Sequence, residues 1–229
     1  LNPPPAPKML SEGYNDILGK IPIKASKAAS AIGYWTTVTH LGGLPVMPKK
    51  GKKVEQSLVD ELFKAGYASY DKLKAIERNV LIAYTGDKYS EFNTSLRKPP
   101  PTKDAAIAAK AIMKAAIPIK EGVLLKRSYV ALNKEDHIKL LGKSVGAVVA
   151  DRAILSTSTE NKNFGNLVFN MTVGPGVRGL PAALFSKHAP EYEVIFPPNQ
   201  RMLITKVTSI GISTHVDAVL LPFDENQWP

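Results

Sequence analysis

The sequence predicts an α+β fold: helices in the first half, packed on a split, mostly antiparallel β core built from the second. Two patterns and one bulk property lead there. Apolar residues recur at helical spacing between residues 54 and 116. Beyond residue 120 they run in short β-rich blocks bounded by Gly and Pro. Apolar residues make up 44% of the 229, enough for a sizeable core. Helices first and strands later is the order expected when helices segregate to one side of an antiparallel sheet.

Taken in order, Asn2-Pro3-Pro4-Pro5-Ala6-Pro7 forms neither helix nor strand, because Pro fixes φ and lacks an N–H. Residues 1–8 therefore read as a stiff arm. Residues 9–229 read as one domain, helical over about 9–117 and β over about 120–229. Met9 to Leu18 fits a short helix, and a second follows Ser26 through Ile32 and Trp35. Leu41 to Pro48 is a Gly/Pro loop, and Lys49-Lys50-Gly51-Lys52-Lys53 a solvated basic turn. Val54, Leu58, Val59, Leu62 and Phe63 form a helical stripe that Gly66 ends. Ser69 caps the next helix, carrying Leu73, Ile76, Val80 and Ala83 up to a break at Thr85-Gly86. Asp87 caps a third, with Tyr89, Phe92 and Leu96 on one face, and Pro99-Pro100-Pro101 ends it. Asp104 to Ala116 is an Ala-rich helix stopped by Pro118.

Strands follow: Gly122 to Val130, Ala150 to Thr159, Leu167 to Val173, and Val216 to Leu221, with one helix at Lys134 to Leu141. Glu191 to Phe196 and Met202 to Ile210, joined by Pro197-Pro198-Asn199-Gln200, read as an antiparallel hairpin.

The net charge is +10, and the whole surplus lies before residue 128. Such a half can meet nucleic acid, an anionic membrane or an acidic protein, or simply keep the chain soluble. The absence of Cys removes disulfides, thiol nucleophiles and Cys-based zinc sites, and four scattered His make no ligand cluster. No run of about 18 apolar residues is present, so no membrane-spanning helix is expected. The chain begins at Leu1 rather than Met, which reads as processing or truncation, and a secretory signal peptide is the expected missing segment.

Three stretches carry candidate chemistry. In Pro190-Glu191-Tyr192-Glu193-Val194-Ile195-Phe196-Pro197-Pro198, strand alternation puts Glu191 and Glu193 on one face and Tyr192, Val194 and Phe196 on the core side. Paired carboxylates can stabilise a developing cation or take a proton; the plain alternative is a solvated edge strand with charged gatekeepers. Arg127 sits within an apolar strand, an expensive position unless it meets an anion, and its fork suits phosphate. Ser156-Thr157-Ser158 ends another strand with short hydroxyls that can orient a neighbour. No Gly-x-Gly-x-x-Gly follows a strand, so a Rossmann mode of nucleotide binding is not indicated.

In this order the motifs resemble those of the bacterial mono-ADP-ribosyltransferase toxins of the Arg / Ser-Thr-Ser / Glu-x-Glu class, over roughly residues 54–210. The resemblance also takes in Tyr84-Thr85-Gly86, Tyr89, Phe92-Asn93 and Leu96-Arg97, and Asp151 to Ser158. It implies an ADP-ribosyltransferase-type split β-sandwich with an NAD cleft between its halves. It implies transfer of ADP-ribose from NAD, the substrate, to an arginine of a host protein, with NAD glycohydrolysis alongside and no metal. Glu rather than Gln at 191 marks the arginine-modifying branch.

Residue by residue, the resemblance makes Arg127 the grip on the cofactor phosphates, with Ser128, Thr157 and Ser158 beside it. Ser156 holds the catalytic Glu193, which bonds the nicotinamide-side ribose, and Glu191 orients and deprotonates the guanidinium. Phe164 matches an aromatic that stacks near nicotinamide, or is an ordinary core residue. Tyr84 and Arg97 either touch the cofactor or pack and cap their helices. Phe185 and His188, in the loop from Leu184 to Pro190, would recognise the target; a lone loop His is otherwise solvated. Lys126-Arg127-Ser128 departs from the Tyr-Arg-Gly of some relatives. The implied protein is a secreted monomer acting in the host cytosol on an accessible arginine, with actin and small GTPases as targets known across the family. Two alternatives stand beside it: an NAD glycohydrolase without transfer, and a basic module binding nucleic acid or an anionic surface, for which no nucleic-acid motif is present.

Overall fold

The apolar stripe from Val54 forms helix α1 (Gln56–Asp71), whose buried face carries Val59, Phe63, Gly66 and Tyr70. The computed structural model describes residues 30–32, 35–41, 50–129, 145–160 and 165–222. Gly66 does not end α1. A Cβ there would lie 2.3 Å from the Pro181 carbonyl oxygen, so the glycine permits close approach to a strand. Ser69 lies inside α1, and its hydroxyl donates to the Ala115 carbonyl at 2.6 Å instead of capping the next helix. That helix, α2 (Ala75–Ala83), starts where the Lys74 N–H donates to the Glu77 carboxylate at 2.8 Å.

A kinked turn (Tyr84–Lys88), non-helical at Gly86 (φ −99°, ψ −119°), separates α2 from α3 (Tyr89–Arg97). Asp87 falls inside that turn rather than at a cap. Helix α4 (Lys103–Ala115) is capped by the Thr102 hydroxyl, which accepts from the Ala105 N–H. Its buried face is mainly alanine, which lets neighbouring helices approach closely. The helical cluster, including Leu81, Tyr84, Phe92 and Ile112, packs on Ile154, Leu180 and Ile195.

The strands are β1 (Ser30–Ile32), β2 (Trp35–His40), β3 (Ile117–Pro118), β4 (Leu124–Tyr129), β5 (Ala147–Ala150), β6 (Leu155–Ser158), β7 (Leu167–Val173), β8 (Arg178–Pro181), β9 (Glu193–Phe196), β10 (Arg201–Ile210) and β11 (Ser213–Leu220). Their order is β1-β2-β5-β10-β11-β7-β4-β6-β9-β8-β3. The β11–β7 pair is parallel; the others are antiparallel. Where the expected Ser26–Trp35 helix is described, the chain is strand, and the β-branched run Thr36-Thr37-Val38-Thr39 explains why. The stretch 9–117 is therefore not wholly helical.

The expected Ala150–Thr159 strand is two strands broken at 151–154. The expected hairpin between 191–196 and 202–210 does not form: β9 pairs with β6 and β8, whereas β10 pairs with β5 and β11. Pro197-Pro198 cannot support a tight ladder, and Asn199, at φ 63°, turns its N–H to the Asp151 carbonyl at 2.8 Å. The arm at 1–8, the Met9–Leu18 and Lys134–Leu141 helices and most of the Leu41–Pro48 loop lie outside the described residues.

The two parts of the sheet meet at β4 and β6 through a single pair, Lys126 with Ser158. A core of Trp35, Leu125, Phe169, Met171, Val194 and Phe196 draws on both parts and on α1. Phe169 and Phe196 are fully buried, each side chain contributing roughly 2–3 kcal/mol of hydrophobic stabilisation. The seam at Lys126–Ser158 is where strand hydrogen bonding runs out and a cleft can open.

Candidate active site

A cleft of about 480 Å³ lies at this seam. One side is β4, with Lys126, Arg127 and Ser128; beside it is β6, with Ser156, Thr157 and Ser158. His188, Glu191 and Glu193 also line it, and the kinked turn and α3 supply Tyr84, Thr85, Gly86, Tyr89 and Asn93.

The two glutamates reach the cleft differently from the expectation. Glu193 opens β9, but Glu191 ends a 3-10 turn (Ala189–Glu191), and Tyr192 between them is left-handed at φ 48°, ψ 50°. That conformation costs a bulky residue about 1–2 kcal/mol, recovered in part by its ring packing 6.0 Å from Phe63. It breaks the alternation, leaving Glu191 exposed while Glu193 is 6% exposed. The Ser156 hydroxyl donates to Glu193 Oε1. Thr157 Oγ1 donates to the Val194 carbonyl at 2.8 Å, and Ser158 Oγ to the Glu191 carbonyl at 2.6 Å. The three hydroxyls thus hold the Glu191–Val194 segment at three points. Burial pushes the Glu193 carboxyl above the usual range; the Ser156 bond opposes this, Glu191 adds to it, and Arg127 and His188 pull it down. Two carboxylates in unlike environments can divide two roles, one fixed and dry, the other in contact with water.

Arg127 is partly buried, its guanidinium 5.1 Å from the Tyr129 ring centroid. Its Nε is buried with no hydrogen-bond partner among the described residues. A buried donor left unmade costs about 1–3 kcal/mol, and an anion in the cleft would satisfy it.

Behind the serine strand, α3 clamps the 151–154 loop. Arg97 forms a two-pronged pair with Asp151 at 3.0 and 2.7 Å. Asn93 Oδ1 accepts from the Ile154 N–H at 3.1 Å. Arg97 is therefore engaged with Asp151, and Tyr84 is fully buried, stacked on Phe92, its ring centroid 6.3 Å away. Burial, then the nearby Glu193, hold the Tyr84 phenol far above its ordinary range, so it stays protonated.

A family model described as "ADP-ribosyltransferase exoenzyme" matches residues 60–221. The chain belongs to that family. Solved structures share the fold at low identity. An ADP-ribosyltransferase of Clostridium botulinum is 18% identical, with a TM-score of 0.62 over 75% of this chain and 99% of that one. An ADP-ribosyltransferase toxin of Paenibacillus larvae is 20% identical, with a TM-score of 0.63 over 76% and 100%. A protein of S. aureus, solved with NAD, is 13% identical, with a TM-score of 0.61 over 76% and 100%. No curated protein matches the sequence.

In this exoenzyme the structure brings Arg127, Ser128, the three residues of Ser156–Ser158, Tyr84, His188, Glu191 and Glu193 to one cleft. Phe185 is elsewhere: its ring stacks on Tyr70 with centroids 3.9 Å apart and 6° between planes, anchoring the loop from Leu184 to Pro190 to α1. Phe164 lies outside the described residues. The sequence reading gave no role at the site to Tyr89, Thr85, Gly86, Asn93 or Lys126. Their only advance signal was membership of the Tyr84–Arg97 and Lys126–Ser128 motifs. Among the described residues no group of His, Asp and Glu converges to hold a metal ion, and no helix is long and apolar enough to cross a membrane.

Proposed function

We propose that this exoenzyme transfers a single ADP-ribose from NAD to an arginine side chain of a host protein. One observation carries the reading: a buried glutamate held by a serine, Glu193, stands two residues from an exposed one, Glu191, in a cleft shared with an arginine whose Nε is orphaned. Arg127 would take the pyrophosphate, whose oxygens suit its unpaired donor. The described segment of 9–229 works here as one catalytic unit.

Glu193, oriented by Ser156, would lie against the nicotinamide-side ribose. As the bond from ribose C1 to the nicotinamide nitrogen breaks, its electron pair leaves with nicotinamide and positive charge builds on the sugar, as in glycoside cleavage. A fixed carboxylate in a dry site stabilises that charge, an effect on the order of 10²- to 10³-fold in rate for comparable preorganised groups. A guanidinium nitrogen then bonds to C1 and gives up a proton. Free guanidinium titrates above about 12, so the proton leaves with or after attack, and the exposed Glu191 receives it. Water reaching C1 in place of the acceptor gives the accompanying NAD glycohydrolase activity.

The test is NAD turnover with and without a small guanidino acceptor, for wild type, Glu193→Ala and Glu191→Ala. Glu193→Ala should lose about 10³-fold or more of all turnover. Glu191→Ala should keep hydrolysis and lose transfer. Hydrolysis by wild type without modification of the acceptor or of any lysate protein would replace the reading with a glycohydrolase. No binding or consumption of NAD would remove both.

A further inference from the structure

The basic segment that the sequence assigns to a solvated turn is, over Lys50–Lys53, pinned beside β4. The Lys52 N–H donates to the Gly122 carbonyl at 2.9 Å, and the Lys52 carbonyl accepts from the Leu124 N–H at 2.9 Å. The Gly51 N–H donates to Thr172 Oγ1 at 2.7 Å. A Cβ on Gly51 would lie 2.6 Å from the Gly122 oxygen, so only glycine brings the backbone this close. The lysines around it are therefore presented from a fixed rail.

That rail borders the acceptor side of the cleft. Lys53 Nζ pairs with Glu160 at 3.1 Å; the Glu160 N–H donates to Ser158 Oγ at 3.0 Å; and Ser158 Oγ donates to the Glu191 carbonyl at 2.6 Å. Lys50 Nζ lies 3.7 Å from Asp217. Partly buried Lys126 lines the cleft within the field of both exposed lysines. Exposed Lys52 lies between Lys50 and Lys53, so among the described residues the rail sets three lysines against the two carboxylates, Asp217 and Glu160. Burial first, and then Lys50, lower the Lys126 ammonium; burial, then Lys126 and Lys50, lower the His215 imidazole, while Asp217 opposes in both. A bare guanidinium approaching Glu191 would meet a positive rim.

We propose that this rim docks an acidic surface of the protein acceptor, so that the arginine offered to Glu191 is flanked by Asp or Glu. The inference rests on the arginine-transfer reading. Lys50 and Lys53 have half or more of their side-chain surface exposed, so they act mainly on encounter and selection and are screened by salt.

The test uses the full chain and two fluorescent single-arginine peptides, one flanked by Asp and Glu, the other by Ser and Gly. Anisotropy reads binding, and incorporated ADP-ribose reads kcat/KM. Wild type should favour the acidic peptide by about 3- to 10-fold at low salt, falling toward parity as salt rises. Lys50→Glu/Lys53→Glu should abolish the preference, and the milder Lys50→Gln/Lys53→Gln should reduce it. NAD hydrolysis and transfer to a small guanidino compound should stay within about twofold for both variants, because neither lysine lines the cleft. Equal handling of the two peptides, or a preference untouched by both variants, overturns the proposal. Tighter, rail-dependent binding of an oligonucleotide of matched charge overturns it in favour of nucleic acid. If no guanidino compound is modified, the transfer reading falls by itself, while anisotropy still decides the docking.

Discussion

Removing the Ser156 hydroxyl leaves the Glu193 carboxylate without the hydrogen bond that favours its ionised form. Glu193 is 6% exposed, so water cannot fully replace that donor. A hydrogen bond to a charged group is worth about 1.5–3 kcal/mol, and each 1.36 kcal/mol is tenfold in rate. At neutral pH, Ser156→Ala should therefore lower kcat/KM for NAD hydrolysis by about 10- to 100-fold. The loss carries a pH signature. Burial already raises the Glu193 carboxyl and the Ser156 bond opposes it. Without that bond the carboxyl rises further, the acid limb of the pH–rate profile moves to higher pH, and the deficit shrinks as pH increases. The assay is kcat/KM for nicotinamide release across the pH range. Thr157→Val is the control: its hydroxyl bonds the Val194 carbonyl at 2.8 Å, so its loss should cost about 1 kcal/mol of stability and leave the acid limb in place. A Ser156→Ala rate within about twofold of wild type, or a loss equal at every pH, would refute the reasoning.

Three further outcomes follow from the same geometry. Glu193→Gln should stabilise the fold while abolishing turnover. The folded carboxyl is raised, so wild type loses stability as pH climbs from the unfolded carboxylate range through the raised folded value, whereas Gln does not. The variant's Tm advantage should grow across that window and vanish at lower pH; a constant or inverted difference would contradict it. Arg97→Ala should strand Asp151, whose side chain is 8% exposed, at a cost of about 3 kcal/mol, or about 10 °C in Tm for a chain this size. A shift under about 3 °C in thermal denaturation would show that the clamp on the 151–154 loop is weak. Arg127→Lys should keep the charge but lose the fork, raising KM for NAD at least about tenfold; an unchanged KM in steady-state kinetics would remove Arg127 from the phosphate site.

Much of the lining of the candidate cleft was legible in the linear chain because its residues sit in local motifs. Arg127 within an apolar strand, hydroxyls at a strand end, and Glu191-x-Glu193 announce themselves by residue type and order, without reference to distance. The helical stripes from Val54 to Ala116 were legible for the same reason, since a period of 3.6 is a property of neighbours along the chain. Partnership was not legible. The hairpin expected after Phe196 failed because strand pairing is decided across the sheet, and nothing local to β9 records that β6 and β8 flank it.

Gly66 and Tyr192 mark the boundary most clearly. By itself the sequence determined which groups could do chemistry and which segments would bury an apolar face. Only the tertiary structure decided that Gly66 admits Pro181 rather than ending a helix, and that a left-handed Tyr192 turns Glu191 to water while Glu193 stays buried against Ser156. It also decided that β4 and β6 meet at one pair and so leave a cleft there. The physical reason is common to all three. Close approach, backbone handedness and the end of a hydrogen-bond ladder are set by contacts between residues distant in sequence, and those contacts exist only once the chain has closed on itself.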